Sequence, residues 1–252
     1  MRDALPTENI YAHSKKLAFI LEQIAAFRRT HPGEIRLLDF GCGNGTAVSR
    51  FLMGEDLCYT GVDLHAPSLA YARAQFGSER ARFLDHLPEG ERFDLIVYAD
   101  VLEHLEDPAE TLRQHAEVLA EDGLLIGAIP NGFGPFENEK RLDRWLGISR
   151  AIHVVGRAKR AIMRRQAPPP PALPYNHDSG HVQFFTRRSL ESTLERGGFR
   201  LETFRNGGFV GAPLSEGLLL RGEAIARLNA KIADHLPYWA VSTWYFTARP
   251  RP

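Results

Sequence analysis

The segment Leu37-Leu38-Asp39-Phe40-Gly41-Cys42-Gly43-Asn44-Gly45-Thr46 constrains this chain more than any other stretch. An apolar run of strand character passes into three glycines at alternate positions and then into residues that read as a helix. Glycine enters left-handed backbone at little cost and carries no Cβ, so such a turn lets a ligand approach the main chain closely. The helix after it would aim its free N–H groups at an anionic group. Asp39 precedes the loop, and Asp63 ends the next apolar run, where a carboxylate can take both hydroxyls of a ribose. Position 46 is threonine where a nicotinamide fingerprint has glycine or alanine, and no lysine stands where a phosphate-binding loop needs one.

The rest of the chain supplies the frame that such a loop needs. Residues 9–29 read as a helix, with Ile10, Leu17, Ile20, Leu21 and Ile24 at helical spacing and His31-Pro32-Gly33 as the stop. Strands are expected over 35–40, 57–63, 80–84, 93–99 and 124–129, the last opened by a turn at Gly123. Helices are expected over 67–76 and 108–119. Strands alternating with helical stretches of about ten residues mean βαβ units and a parallel sheet covered on both faces. The alternation breaks at 131–185, then resumes with a helix over 186–197, a strand over 199–204 and a final strand over 240–248.

Composition agrees with a folded α/β domain. The 252 residues are 44% hydrophobic and 25% charged, which excludes a disordered or collagen-like chain. Lys+Arg and Asp+Glu both number 31, so a surface that grips nucleic acid throughout is not expected. Two cysteines, Cys42 and Cys58, are too few for a disulfide scaffold and suit a reducing compartment. The first sixteen residues lack the apolar core of a signal peptide, and no stretch reaches the ~18 apolar residues of a membrane span. The expectation is a single cytoplasmic domain over 1–252.

LLDFGCGNG, GVDL, FDLIVYADVLEHLEDP, VLAEDGLLIGAIPN and GHVQFFTRRSLESTLERGGF together resemble the class I S-adenosylmethionine-dependent methyltransferases. They are most similar to the small-molecule group that includes the ubiquinone-pathway O-methyltransferases. The resemblance runs in order from Leu37 to about Phe199. It implies a Rossmann-like, seven-stranded, mostly parallel sheet with its last strand antiparallel and helices on both faces, plus a helical or loop insertion at 131–185. It also implies S-adenosylmethionine as methyl donor and S-adenosylhomocysteine as product. Carried over by position, Asp39, Gly41, Gly43 and Gly45 would hold the methionine end. Asp63 would bind the ribose, Leu64 would flank the adenine, and Asp85 with His86 would meet the adenine edge. Asp100 and Val101 would lie beside the sulfonium. Residues 1–33 would form an N-terminal helical cap, with Tyr11 and His13 as contacts.

If the acceptor is a hydroxyl, a base near pH 7 helps, and histidine is the natural one. His104 and His181 are the expected catalytic residues, because both fall where this family borders its acceptor pocket; His177 is a weaker candidate. Asp100-x-x-Glu103-His104 with His177 or His181 also offers carboxylate and imidazole ligands to a divalent metal. That spacing is similar to the E-x-x-E-H pattern of metal-dependent RNA 2′-O-methyltransferases, but its first position here is Asp, and no resident metal is expected. The expected acceptor is a small molecule: a phenol or quinol, a sugar hydroxyl or a secondary metabolite. RNA end methylation and a catalytically silent cofactor-binding scaffold are the alternatives.

Between positions 140 and 165 lie nine Lys/Arg and one acid, Asp143. Trp145, Ile148, Ile152, Val155, Ala158 and Ile162 recur at three- and four-residue steps, so a helix here would be amphipathic with a basic face. Such a segment suits a helix packed on the domain, a lid over the pocket, or peripheral contact with an anionic membrane. Pro168 to Pro174 would be its stiff arm.

Overall fold

The protein is described by a computed structural model covering residues 10–54, 57–147, 173–174, 176, 180–210 and 223–251. Most of the basic stretch, from residue 148, and residues 168–172 of its proline arm lie outside the described residues.

Seven strands form one sheet: β1 Ile35–Phe40, β2 Leu57–Val62, β3 Ala81–Leu84, β4 Phe93–Ala99, β5 Leu119–Pro130, β6 Phe199–Asn206 and β7 Thr243–Pro250. Their spatial order is β3-β2-β1-β4-β5-β7-β6, and β7 runs antiparallel to both of its neighbours. The expected mostly parallel sheet with an antiparallel last strand is therefore present. Helices α1 Ile10–Thr30, α2 Ser49–Leu52, α3 Ala66–Phe76, α4 Pro108–Val118, α5 Pro135–Leu146, α6 Arg187–Arg196 and α7 Glu223–His235 connect or flank the strands.

Two apolar cores lie on the two faces of the sheet, and strand periodicity assigns residues to them. Leu95 and Val97 of β4 join Leu124, Ile126 and Ala128 of β5 on the face covered by Phe19, Ile20, Ile24 and Phe27 of α1. Ile96 and Tyr98 join Leu125 and Ile129 on the face covered by Leu112 of α4 and by Leu190 and Leu194 of α6. At Gly127 an added Cβ would sit 2.2 Å from Phe246 Cζ, so this glycine makes room for the β7 ring that crosses it.

Three expectations need correction. β5 begins at Leu119, straight from α4, and runs through Gly123; the register shift against β4 between Phe93 and Leu95 absorbs the extra residues. Helix α5 begins ahead of the basic stretch expected to be helical, at Gly134 and Pro135, which form an ordinary start with proline at the first helical position. Helix α7 was not expected; it follows a segment that opens with the turn signal Asn206-Gly207-Gly208. Among the described residues no helix is long and apolar enough to cross a membrane.

Candidate active site

Strand order reverses between β1 and β4: β1 pairs with β2 on one side and with β4 on the other. Open α/β sheets hold their ligands at the carboxyl ends of the strands beside such a reversal. The glycine loop leaves β1 at that edge, and residues 100–104 leave β4 beside it.

Gly41, Gly43 and Gly45 have φ of +77°, +56° and +77°. The loop is tied to the end of β2, where Val62 O accepts from Gly41 N at 2.7 Å and from Cys42 N at 3.1 Å. The glycines divide two tasks. A Cβ on Gly41 would lie 2.5 Å from Val101 Cγ2 and one on Gly45 2.9 Å from Phe76, whereas one on Gly43 would meet nothing within 4 Å. The outer two permit close packing; the middle one presents open backbone. The helix that follows, α2, has four residues and no side-chain cap, so the expected helix N-terminus facing an anion is not built here. Asn44 Oδ1 instead accepts from Thr46 N at 3.1 Å, and Asn44 Nδ2 donates to Pro174 O at 2.9 Å.

The acidic partners hold the loop. Asp39 is buried, and its Oδ2 accepts from Ser49 Oγ and Tyr59 OH, each at 2.7 Å. Burial raises its carboxyl above the ordinary range, against those two donors. Asp63 accepts from Gly43 N at 2.8 Å through Oδ2 and from His65 N at 2.8 Å through Oδ1. The next residue, Leu64, is 88% exposed at the edge of the crevice. Asp85 and His86 are exposed and joined at 2.6 Å, a pairing that lowers the Asp85 carboxyl. Cys42 is buried, its thiol pushed up by burial and by Asp39, which suits a packing residue.

After β4, Asp100 adopts left-handed backbone at φ +58°, a conformation that Asp tolerates better than most residues. Its carboxylate pairs with Lys16 Nζ from α1, so the N-terminal helix does reach this edge, through a residue the sequence did not single out. Tyr11 and His13 belong to α1, but their side chains lie outside the described residues. Val101 packs on Gly41, which places the glycine loop two residues from Glu103.

Glu103 is 1% exposed, and neither of its carboxylate oxygens has a hydrogen-bond partner. Burial and the charge of Asp100 raise its carboxyl well above the ordinary value. Its backbone carbonyl accepts from Val182 N and Gln183 N, both at 2.9 Å, and so draws residues 180–183 over the site. His104 Nδ1 lies 3.1 Å from Gly180 O, fixing Nδ1 as the protonated nitrogen and leaving Nε2, which is 3.9 Å from Glu103 Oε1. Burial lowers the His104 imidazole, against the effect of the Gly180 bond, so its neutral form is favoured. The His181 ring meets it edge-on, with centroids 4.9 Å apart at 74°.

Behind His181 stands Glu137 of α5, almost fully buried. Its Oε1 is 2.9 Å from His181 Nδ1 and 3.3 Å from Lys140 Nζ. Burial raises the Glu137 carboxyl, but His181 and Lys140 outweigh it and hold the group below its ordinary value. Thus His104 and His181, far apart in the chain, are brought into contact. His177 is outside the described residues. Lys16 and Glu137 are the site residues that the sequence did not reveal; the signal for Glu137 was the Gly134-Pro135 start, which sets it in the first turn of a helix.

The family model described as "Methyltransferase domain" matches residues 11–203. The ubiquinone biosynthesis O-methyltransferase of Caulobacter sp. (strain K31) is 35% identical over 130 residues, covering 46% of this chain and 51% of that protein. Its namesake from Glaesserella parasuis serovar 5 (strain SH0165) is 32% identical over 103 residues, covering 36% and 43%. The chain thus aligns with about half the length of these curated relatives. In fold it is similar to a magnesium protoporphyrin IX methyltransferase from Synechocystis PCC 6803, solved with bound SAH, at a TM-score of 0.54 and 14% identity, covering 95% of this chain and 84% of that one. With an open glycine loop and a buried carboxylate-imidazole cluster on one edge of its seven-stranded sheet, and with residues 11–203 matched by that family model, this chain belongs to the methyltransferase-domain family.

Proposed function

We propose that this chain transfers a methyl group from S-adenosylmethionine to a hydroxyl of a small molecule. One observation carries the reading: the Gly41–Val101 contact sets the glycine loop two residues from the Glu103–His104–His181 cluster, both on the sheet edge beside the strand-order reversal. The residues fit the donor. Gly43 leaves open space where a side chain would stand, its N–H holds the Asp63 carboxylate at the end of the next strand, and Leu64 presents an uncovered apolar surface suited to an adenine face. Asp39 supports this arrangement from below. Asp85 and His86, exposed at the far side, take the adenine edge, and Asp100 with Val101 border the reacting carbon.

S-adenosylmethionine supplies a methyl carbon on positively charged sulfur, so the transfer is an in-line displacement. What remains for the protein is alignment and dryness. Orientation alone contributes up to about 7–11 kcal/mol. Lys16 and Asp100 pin α1 across the donor side, and residues 180–183, held by the Glu103 carbonyl, cover the acceptor side. The cluster of Glu103, His104 and His181 takes up the charge and proton that leave the hydroxyl. The names of the curated relatives favour oxygen as the acceptor atom, as does a neutral imidazole with a free Nε2.

Calorimetry with S-adenosylmethionine and with S-adenosylhomocysteine tests the donor half. Binding of both is expected, weakened at least ~10-fold in Asp63→Asn, the loss of about 1.4 kcal/mol; no binding of either by the unaltered chain ends the reading. For the acceptor half, a deuteromethyl-labelled donor is incubated with phenols, quinols, sugars and amines, and products are weighed by mass spectrometry. Label on amines alone overturns hydroxyl transfer.

A further inference from the structure

We propose that Glu103, His104 and His181 form a binding site for one divalent transition-metal ion, a site at odds with the expectation of no resident metal. One candidate ligand atom from each residue lies within 4.8 Å of the others. Ligand atoms on one ion, each about 2.0–2.2 Å from it, stand roughly 3–4 Å apart, so a small closing movement completes the set.

Three features point to a cation. First, Glu103 is buried, and neither of its oxygens has a hydrogen-bond partner. Leaving even one buried polar group unsatisfied costs on the order of 1–3 kcal/mol, so a carboxylate aimed at two imidazoles calls for something between them. Second, the His181 ring stands edge-on to His104 with centroids 4.9 Å apart, and its Nδ1 lies 2.9 Å from Glu137 Oε1, which leaves Nε2 for an ion. Third, the outer contacts are those of a ligated site. His104 gives its Nδ1 hydrogen to Gly180 O and directs Nε2 toward Glu103, and the buried Glu137 stands against His181. Outer acceptors of this kind orient imidazole ligands and raise their basicity.

Donor type selects the ion. Two imidazoles and one carboxylate suit zinc, cobalt, iron or manganese better than magnesium or calcium, which favour oxygen throughout. Three protein ligands leave coordination positions for an exogenous oxygen, as in catalytic rather than structural sites. Asp100, the first residue of the spacing seen in the sequence, is not in the set; its carboxylate pairs with Lys16. Where the site acts in the reaction, a role that rests on the hydroxyl-transfer reading, a bound cation takes the acceptor oxygen and lowers the pKa of its proton. His104 and His181 are then ligands, not bases.

Binding of the ion needs neither donor nor acceptor, and that separates this test from the previous one. Untagged full-length chain, stripped with chelator and dialysed, is titrated with cobalt(II) by visible absorption and with zinc(II) by calorimetry. The expected result is one ion per chain, with cobalt d–d bands of a four- or five-coordinate nitrogen–oxygen site. Glu103→Gln and His181→Ala should each weaken binding by more than ~100-fold, and Glu137→Gln by about 10–100-fold, the range for an outer partner. Circular dichroism and cooperative thermal melts check that each variant is folded. No stoichiometric cobalt binding, or folded Glu103→Gln and His181→Ala chains that bind as the unaltered chain does, overturns the site, whatever the calorimetry with the methyl donor shows.

Discussion

Gly41 shows how much a single atom decides at the residue scale. At φ +77°, and with Val101 Cγ2 2.5 Å from where its Cβ would be, alanine meets both backbone strain and a clash. Gly41→Ala should lower stability by about 1–3 kcal/mol. It should also weaken S-adenosylhomocysteine binding at least ~10-fold, because relief moves Val101 and with it the route to Glu103. Gly43→Ala tests the other role: its Cβ meets nothing within the protein, so it should cost the ~1 kcal/mol of a left-handed alanine while reducing ligand affinity disproportionately. Thermal melts paired with calorimetry separate the two effects. An equal loss of stability and affinity in both variants would contradict this division of labour.

At the element scale, the packing of α4 on β4 places His115 out of water. His115 is 2% exposed, lies edge-on to Phe40 with centroids 4.5 Å apart, and is hydrogen-bonded through Nδ1 to the Tyr98 hydroxyl. Burial pulls its imidazole down to about 4 and raises the Tyr98 phenol, so a neutral Nδ1 accepts from a protonated Tyr98. An unfolded chain takes up a proton here near pH 6.5, whereas the folded chain does so only near 4. Stability from this group is therefore complete above about pH 6.5 and declines as pH falls toward 4, by roughly 2–4 kcal/mol. Denaturant melts at pH 7.5 and 4.5 should show that decline reduced in His115→Gln relative to the unaltered chain; identical slopes would remove the assignment. The same interface also accounts for an error of boundary. Leu119 continues from α4 directly into β5, and tertiary pairing with β4 overrides the Gly123 turn that local sequence signals.

For the whole molecule, α1 belongs to the core as much as to the site. Phe19, Ile20, Ile24 and Phe27 are 0–5% exposed, and burying four such side chains contributes about 6–12 kcal/mol, comparable to the entire ~5–15 kcal/mol stability of a domain. Lys15 also ties α1 to Gly207 O and Asp234, at 2.8 and 2.7 Å. A chain lacking residues 1–33 should lose cooperative melting altogether, not merely bind the donor more weakly; a truncated chain with a sharp melt would show α1 to be a removable cap. Much of this architecture was legible in the sequence because its causes are local. The unbroken apolar run of 95–99, the helical spacing of 9–29 and the glycines of 41–45 declare strand, helix and turn through neighbours alone, and their order implies the reversal where ligands bind. The site itself needed the fold. Glu103, Glu137 and His181 come from three separate segments, and Lys16 from a fourth; nothing in their immediate neighbours records that they meet. Burial and unmet hydrogen bonding, which give these groups their chemistry, arise only when distant parts of the chain exclude water together.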